Sequence, residues 1–595
     1  MKQIVERLAE VRRRFSDHKI EALIVPSNDP HFSEYVADRW KCREWLSGFT
    51  GSAGTLVVTK TSAALWTDSR YFLQGEQQLS GTGIELMRMG LPNVPSIEEY
   101  LIEMVAPDGC VGLDGRLFSV TEYHRISQSI KPIGLKIVED IFDHVWADRP
   151  AFPQKKAFIL PQSVAGFTIS EKIEQVVRTA KLKKEDIFLV TALDEVAWLF
   201  NLRGADIEYN PLALAYAAVN KNSTSLFVDK EKLSNEDLQT LEANGVRVSA
   251  YDNFEKFIDQ VEITHNIILN PRKTNILIRK KLQANSINII DDADANGVVT
   301  SLKGVKNEVE IEGFRKAMVA DGVALAKFFS WLDENLDSGK VTECVIAKKL
   351  CEFRAQSADF MGESFGSIVG YKEHGAIVHY FPTPETDVEI RREGFLLIDS
   401  GGQYRTGTTD ITRTIHLSKP TPQEKVDYTL VLKGTIDLSM AVYPAGTRGS
   451  QLDILARGPL LQHCINYGHG TGHGVGHFLN VHEGPQSIRM QENPVTLKVG
   501  MVTSNEPAMY RTGQYGIRTE NLILCVPFHS NEFGTFERFE TLTICPIDTT
   551  PIEKELLTPS EIEWLNSYHE MVFDALSPHL AGKELAWLEA KTQKI

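Results

Sequence analysis

Short apolar runs and amphipathic stretches alternate through residues 1–145. EALIVPS, TLVVTK, AALWTD and CVGLDG are strand-like runs, while VERLAEVRRRF and SIEEYLIEMV space their apolar residues as helices do. That alternation predicts an α/β domain. DRPAFPQKKAF, 148–158, carries two prolines and a charge cluster and predicts a linker. Residues 159–303 then repeat the scheme. IFLVTALDEVAWLFNLRG follows the course of the first region through REWLSGFTGSAG, and TSLFVDKEK echoes ALWTDSRYF. Two related α/β domains in tandem are expected, over 1–147 and 148–303. The second copy has Asp229-Lys230-Glu231 where the first has Asp68-Ser69-Arg70, so any role of Arg70 is lost there.

A third region starts near Lys303. VKNEVEIEGFRKAMVADGVALAKFFSWLDENL predicts one or two long helices, and TECVIAKKLCEFRAQS another. From 365 strands and tight turns dominate, with helical interludes at 422–440 and 450–466. An α+β domain over 304–546 is expected, followed by a helical extension over 547–595. The extension's Trp564, Leu565, Met571, Val572 and Trp587 are too apolar for a free tail. They pack on the domain or form a dimer contact.

Composition narrows the picture modestly. The 595 residues are 42% hydrophobic and 24% charged, as in globular proteins. A net charge of −16 argues against a nucleic-acid partner. The charged N-terminal helix has no apolar core of a secretory signal, and no run of 18 apolar residues predicts a membrane span. Seven scattered cysteines without a C-x-x-C pair fit reduced thiols in a cytoplasmic protein.

Candidate chemistry centres on GHGTGHGVGH, 468–477, where five glycines alternate with other residues. Read as a strand, it turns His469, His473 and His477 to one face and the glycines to the other. Read as a glycine-rich loop, its histidines are incidental. In EGFLLIDSGGQYRTGTTDITRTIHL a buried run ends at Asp399 and a second run opens at Asp410, a hairpin pattern. The alternative is a solvated turn with two ordinary aspartates. Glu506 closes a strand ahead of Pro507. Glu520 falls inside the strand GIRTENLILCV, where a charge needs a partner; a salt bridge to Arg518 is the plain alternative. Four carboxylates meeting without cations would repel strongly, and two divalent ions resolve this. Oxygen donors with one imidazole suit manganese first, with cobalt, zinc or iron as alternatives. His473 is the best placed imidazole, and His477 reads as structural. GESFG, 362–366, matches a nucleophile elbow in reversed context, so Ser364 is a decoy. His482-Glu483 does not continue as a zinc-protease motif.

Together these motifs carry a resemblance. FTGSAGT with WTDSRYF, GAIVHY, LLIDSGGQY with TTDITRT, GHGTGHGVGH with NVHEGP, SNEPAMY and GIRTEN resemble the large, three-domain aminopeptidase P (X-prolyl aminopeptidase) form of the pita-bread metallopeptidases. The resemblance covers nearly the whole chain. It implies two creatinase-like α/β domains before a pita-bread catalytic domain. It also implies Asp399, Asp410, His473, Glu506 and Glu520 as ligands of two ions, with Asp410 and Glu520 bridging. His379, His469 and His482 match histidines that contact substrate or shuttle protons. Arg70 matches an arginine near the substrate, with the neighbouring subunit of a homodimer as one source. The implied reaction removes an N-terminal residue ahead of proline, using a metal-bridging water, with Glu506 as general base and His379 and His482 on the oxyanion. Tyr380 and Phe381 are candidate contacts to the proline ring, against ordinary aromatic packing. Prolidase activity, on Xaa-Pro dipeptides, and a non-enzymatic binding protein of the same fold are the rival readings.

Overall fold

A computed structural model describes residues 2–294 and 296–595. The chain forms two compact units, Met1–Pro161 with Phe167–Val299, and Gln162–Gly166 with Thr300–Ile595.

The first unit holds two six-stranded sheets. In one the order is Glu85–Arg88, Ala63–Thr67, Thr55–Thr59, Ala22–Pro26, Cys110–Asp114, Gly134–Val138. In the other it is Val246–Ser249, Ser223–Val228, Ala215–Asn220, Asp186–Val190, Asn266–Leu269, Asn288–Asp291. Parallel and antiparallel pairings fall at the same places in both. The faint sequence echo is therefore a full topological repeat. Gly134–Val138 was not visible as a strand because it is an edge with only Val138 buried. The expected linker is shorter than its composition suggests, since Ala157–Ile159 already pairs with Leu202–Gly204. Asp68 and Asp229 do the same local work, each accepting the backbone N–H two residues on to cap a short turn. The residues after the aspartate differ: Ser69 and Arg70 in the first copy, Lys230 and Glu231 in the second. In the first, Arg70 Nε and Nη2 each donate to Asp68 at 2.8 Å.

The second unit opens with one unbroken helix, Glu308–Asn335, started by a reciprocal Asn307/Glu310 cap. A three-stranded antiparallel sheet places Phe395–Ser400 between Ile368–Tyr371 and Ile411–His416. A six-stranded sheet runs Val442–Pro444, Gly534–Thr541, Asn521–Asn531, Val502–Asn505, Gly472–Gly474, Glu483–Ile488. Helices Pro422–Ser439 and Gly449–Leu461 cover it. Of the two expected fates of the tail, packing on the domain is the one observed. Leu565 and Val572 of helix Pro559–Leu576 are fully buried, and Trp587 stacks on Phe329 with its Nε1 donating to Asp333 at 2.9 Å. Among the described residues no helix is long and apolar enough to cross a membrane.

Candidate metal centre

Strand ends from both sheets bring the acidic residues together. Asp399 is the penultimate residue of Phe395–Ser400, and Asp410 immediately precedes the neighbouring Ile411–His416. His473 is the middle residue of Gly472–Gly474. Glu506 follows Val502–Asn505, its N–H donating to the Thr471 carbonyl at 2.8 Å. Glu520 lies between strands rather than inside one. Tyr515–Arg518 pairs with Ala508–Arg511, Asn521–Asn531 pairs with Val502–Asn505, and at the switch the Glu520 N–H donates to Thr412 O at 3.1 Å.

Donor atoms of Asp410, His473 and Glu520 all lie within 4.8 Å of one another. His473 Nε2 is 3.4 Å from Asp410 Oδ2 and 3.5 Å from Glu506 Oε1. His473 Nδ1 is 3.0 Å from the Gly474 carbonyl, which can only accept, so Nδ1 carries the hydrogen. Its Nε2 then faces the carboxylates, and offers them a proton or, once that proton is lost, a lone pair to a cation. Asp399 Oδ2 accepts from Arg518 Nη2 at 2.6 Å, while its buried Oδ1 has no hydrogen-bond partner. Glu520 Oε2 accepts from Thr412 Oγ1 at 2.8 Å.

With protein groups alone the electrostatics are unfavourable. Burial raises Asp399 to about 6, with Arg518 opposing and Asp410 adding to the rise. Burial likewise raises Glu506 to about 7, with His473 opposing. Glu520 is pushed well above the carboxylate range by burial and then by Asp410, Glu506 and Asp399. Burial lowers His473, but the Asp410 contact and the Glu506 charge carry it up to about 9. Such a cluster binds cations as its natural complement. The free Asp399 oxygen, the His473 Nε2 directed at the acids and the converging donors fit divalent metal in place of the imidazolium proton.

The other histidines separate. His469 Nε2 pairs with Tyr510 Oη at 2.9 Å, and its Nδ1 is 3.9 Å from Glu506 Oε2. His482 stands edge-on to His473, with ring centroids 4.4 Å apart. His477 leaves the common face that a continuous strand would give it. The strand covers only 472–474, and the register shifts between His473 and Gly474. His477 is buried against Phe314. His379 follows the turn Lys372–Ala376 and is half-buried. Tyr380 is committed to packing, its hydroxyl donating to Glu343 at 2.8 Å, whereas Phe381 is exposed. Arg70 belongs to the first unit. Ser364 is fully buried and donates to Thr409 O, which rules it out as a nucleophile.

Sequence reasoning missed the supporting arginines. Arg518 serves Asp399 rather than Glu520, and also donates to Tyr510 Oη at 2.6 Å. Arg413 donates to the Glu520 carbonyl at 2.7 Å and to Tyr568 Oη at 2.8 Å. Their signal was there: charged residues in otherwise apolar strands require partners. The glycines have a concrete cause too. A Cβ on Gly472 would overlap the Ser504 carbonyl, and one on Gly474 the Glu483 carbonyl.

Comparison with known proteins agrees with this architecture. Metallopeptidase family M24 matches residues 312–527, and the C-terminal region of peptidase M24 matches 535–595. Two Creatinase/Prolidase N-terminal domains match 7–145 and 148–310. A probable Xaa-Pro aminopeptidase P of Laccaria bicolor is 40% identical over 98% of this chain and 92% of its own. Aminopeptidase P2 of Arabidopsis thaliana is 38% identical over 99% of this chain and 88% of its own. The crystal structure of X-prolyl aminopeptidase from Caenorhabditis elegans, a cytosolic enzyme with a di-nuclear active site, superposes with a TM-score of 0.94 at 34% identity over 100% of both chains. The second unit is accordingly a pita-bread catalytic domain behind two creatinase-like domains, and the chain belongs to metallopeptidase family M24 in the full-length Xaa-Pro aminopeptidase P group.

Proposed function

We propose that this hydrolase releases the N-terminal residue from peptides whose second residue is proline, working in the cytoplasm. The observation that carries the reading is the buried convergence of Asp410, His473 and Glu520 within 4.8 Å, beside two further carboxylates. Asp399, Asp410, His473, Glu506 and Glu520 would together hold two cations, with Glu506 on the His473 side of the cluster. The oxygen-rich set favours manganese, with cobalt and zinc as alternatives. When bound, such a pair supplies Lewis acidity and a nucleophile at neutral pH.

The chain's own groups do the rest. Glu506 sits between His473 and His469 and carries a proton from the attacking oxygen to the proline nitrogen. The C–N bond breaks, the carbonyl carbon gains the hydroxyl, and the amine leaves protonated. His482 and His379 donate to the carbonyl oxygen as charge builds on it. Tyr510, hydrogen-bonded to both Arg518 and His469, holds His469 in register. Arg70 contacts the peptide from the partner subunit of a homodimer. The test is metal removal by chelation, restoration with Mn²⁺, and assay of a Xaa-Pro-Xaa tripeptide against a Xaa-Pro dipeptide. Metal-dependent cleavage of the tripeptide is expected. Cleavage of the dipeptide alone would overturn the reading.

A further inference from the structure

Beside the metal centre lies a buried charge cluster that the reaction does not use directly. Lys303 Nζ is 2.7 Å from Glu483 Oε2, and Lys306 Nζ is 2.9 Å from Glu483 Oε1. All three side chains are 1% exposed. Lys306 also donates to the Lys303 carbonyl at 3.1 Å. Two ammonium groups thus share one carboxylate in a dry site. Burying three charges costs several kcal/mol per ion, on the order of what their attraction returns. Stability alone is a weak reason for such a cluster, and an apolar trio would serve as well.

Position supplies the better reason. Glu483 directly follows His482, and it begins the strand Glu483–Ile488, where it stands opposite Gly474, the residue after His473, across the register shift that separates this pair from His473 and Ser487. Its carboxylate lies over the backbone of the histidine motif, since a Cβ on Gly476 would fall 2.6 Å from Glu483 Oε2. The lysines come from the stretch that opens the catalytic unit, and that stretch is pressed against the same strand. A Cβ on Gly304 would fall 2.5 Å from Pro485 Cδ. Glu483 is therefore fixed through its backbone by the His473 strand and through both carboxylate oxygens by lysines.

We infer that Lys303, Glu483 and Lys306 form a clamp that aims His482 at the substrate carbonyl, making Glu483 a positioning residue for the peptidase reaction. This rests on the assignment of His482 to the substrate in the reading above. The clamp holds the residue after His482 on both sides, so the direction of the imidazole edge toward His473 is set before substrate arrives.

A double-mutant cycle in the Mn²⁺-loaded full chain tests it. Glu483→Gln is expected to lower kcat about tenfold, with KM and bound metal unchanged, because His482 is misaimed rather than removed. In a His482→Gln background the same change should cost less than about twofold. An undiminished cost in that background would overturn the clamp while leaving His482 its role. Full activity of His482→Gln by itself would overturn the role of His482 and the clamp with it. Should Glu483→Gln fail to fold, Lys306→Met, which keeps the Lys303 pair, is read in the same two backgrounds with the same criteria.

Discussion

Arg518 and Asp410 show what single side chains do in the acidic cluster. Arg518 is buried, and its guanidinium answers Asp399, Thr412 and Tyr510 at once. Replacing it with leucine strands the Asp399 charge, so Arg518→Leu should cost about 3–5 kcal/mol, read as a lowered urea midpoint. Asp410 has the opposite sign. Its charge raises Asp399, Glu506 and Glu520, three repulsions set against one attraction to His473, so its removal is expected to stabilise the metal-stripped fold. Asp410→Asn should melt higher than the wild type in chelator, yet turn over at least about a hundredfold more slowly with Mn²⁺. A lower melting point in chelator would mean that the carboxylates do not repel as placed. The acidic residues were legible in the sequence because each ends or interrupts an apolar run. Arg518 was not, because its nearest acid in sequence is Glu520 while its true partner stands 119 positions away.

The strands explain where the pattern misled. Alternating Gly and His in 468–477 follows the period of a strand, but a register shift after His473 ends the alternation and sends His477 to the core. GIRTENLILCV has the apolar content of one strand, yet the chain changes partners at Glu520, and a change of partner leaves no mark in a hydrophobic pattern. Fold class was legible by contrast, since paired α/β runs and capped helices are local signals. Edge strands such as Glu85–Arg88, with only Met87 buried, gave little signal. Gly474 can be tested at this scale. Gly474→Ala forces a methyl into the Glu483 carbonyl and should cost about 1–3 kcal/mol, seen as a lowered melting temperature with the Mn²⁺ requirement retained.

For the molecule as a whole, helix Pro559–Leu576 of the C-terminal extension supports the acidic cluster. Tyr568 accepts from Arg413, which in turn holds the Glu520 carbonyl. On the same helix His569 Nε2 accepts the Ile547 N–H at 3.1 Å. Burial, with Arg413 adding to it, depresses His569 to about 4. The unfolded chain takes up this proton near pH 6.5 and the folded chain only near 4. Stability is therefore full above about 6.5 and falls by about 3 kcal/mol as pH drops toward 4. Melting temperatures across that window should decline less steeply in His569→Leu, although the variant starts lower at pH 7. Equal slopes would remove His569 as the cause. Arg413 and Tyr568 stand 155 positions apart. With translation at about 5–20 residues/s, roughly 8–30 s separate their emergence from the ribosome. Glu506 and Glu520 emerge within that interval, and from Glu520 until Tyr568 follows, a growing chain has its acidic residues but not the tyrosine that props Arg413 beneath one of them, so this support of the cluster is completed only late in synthesis.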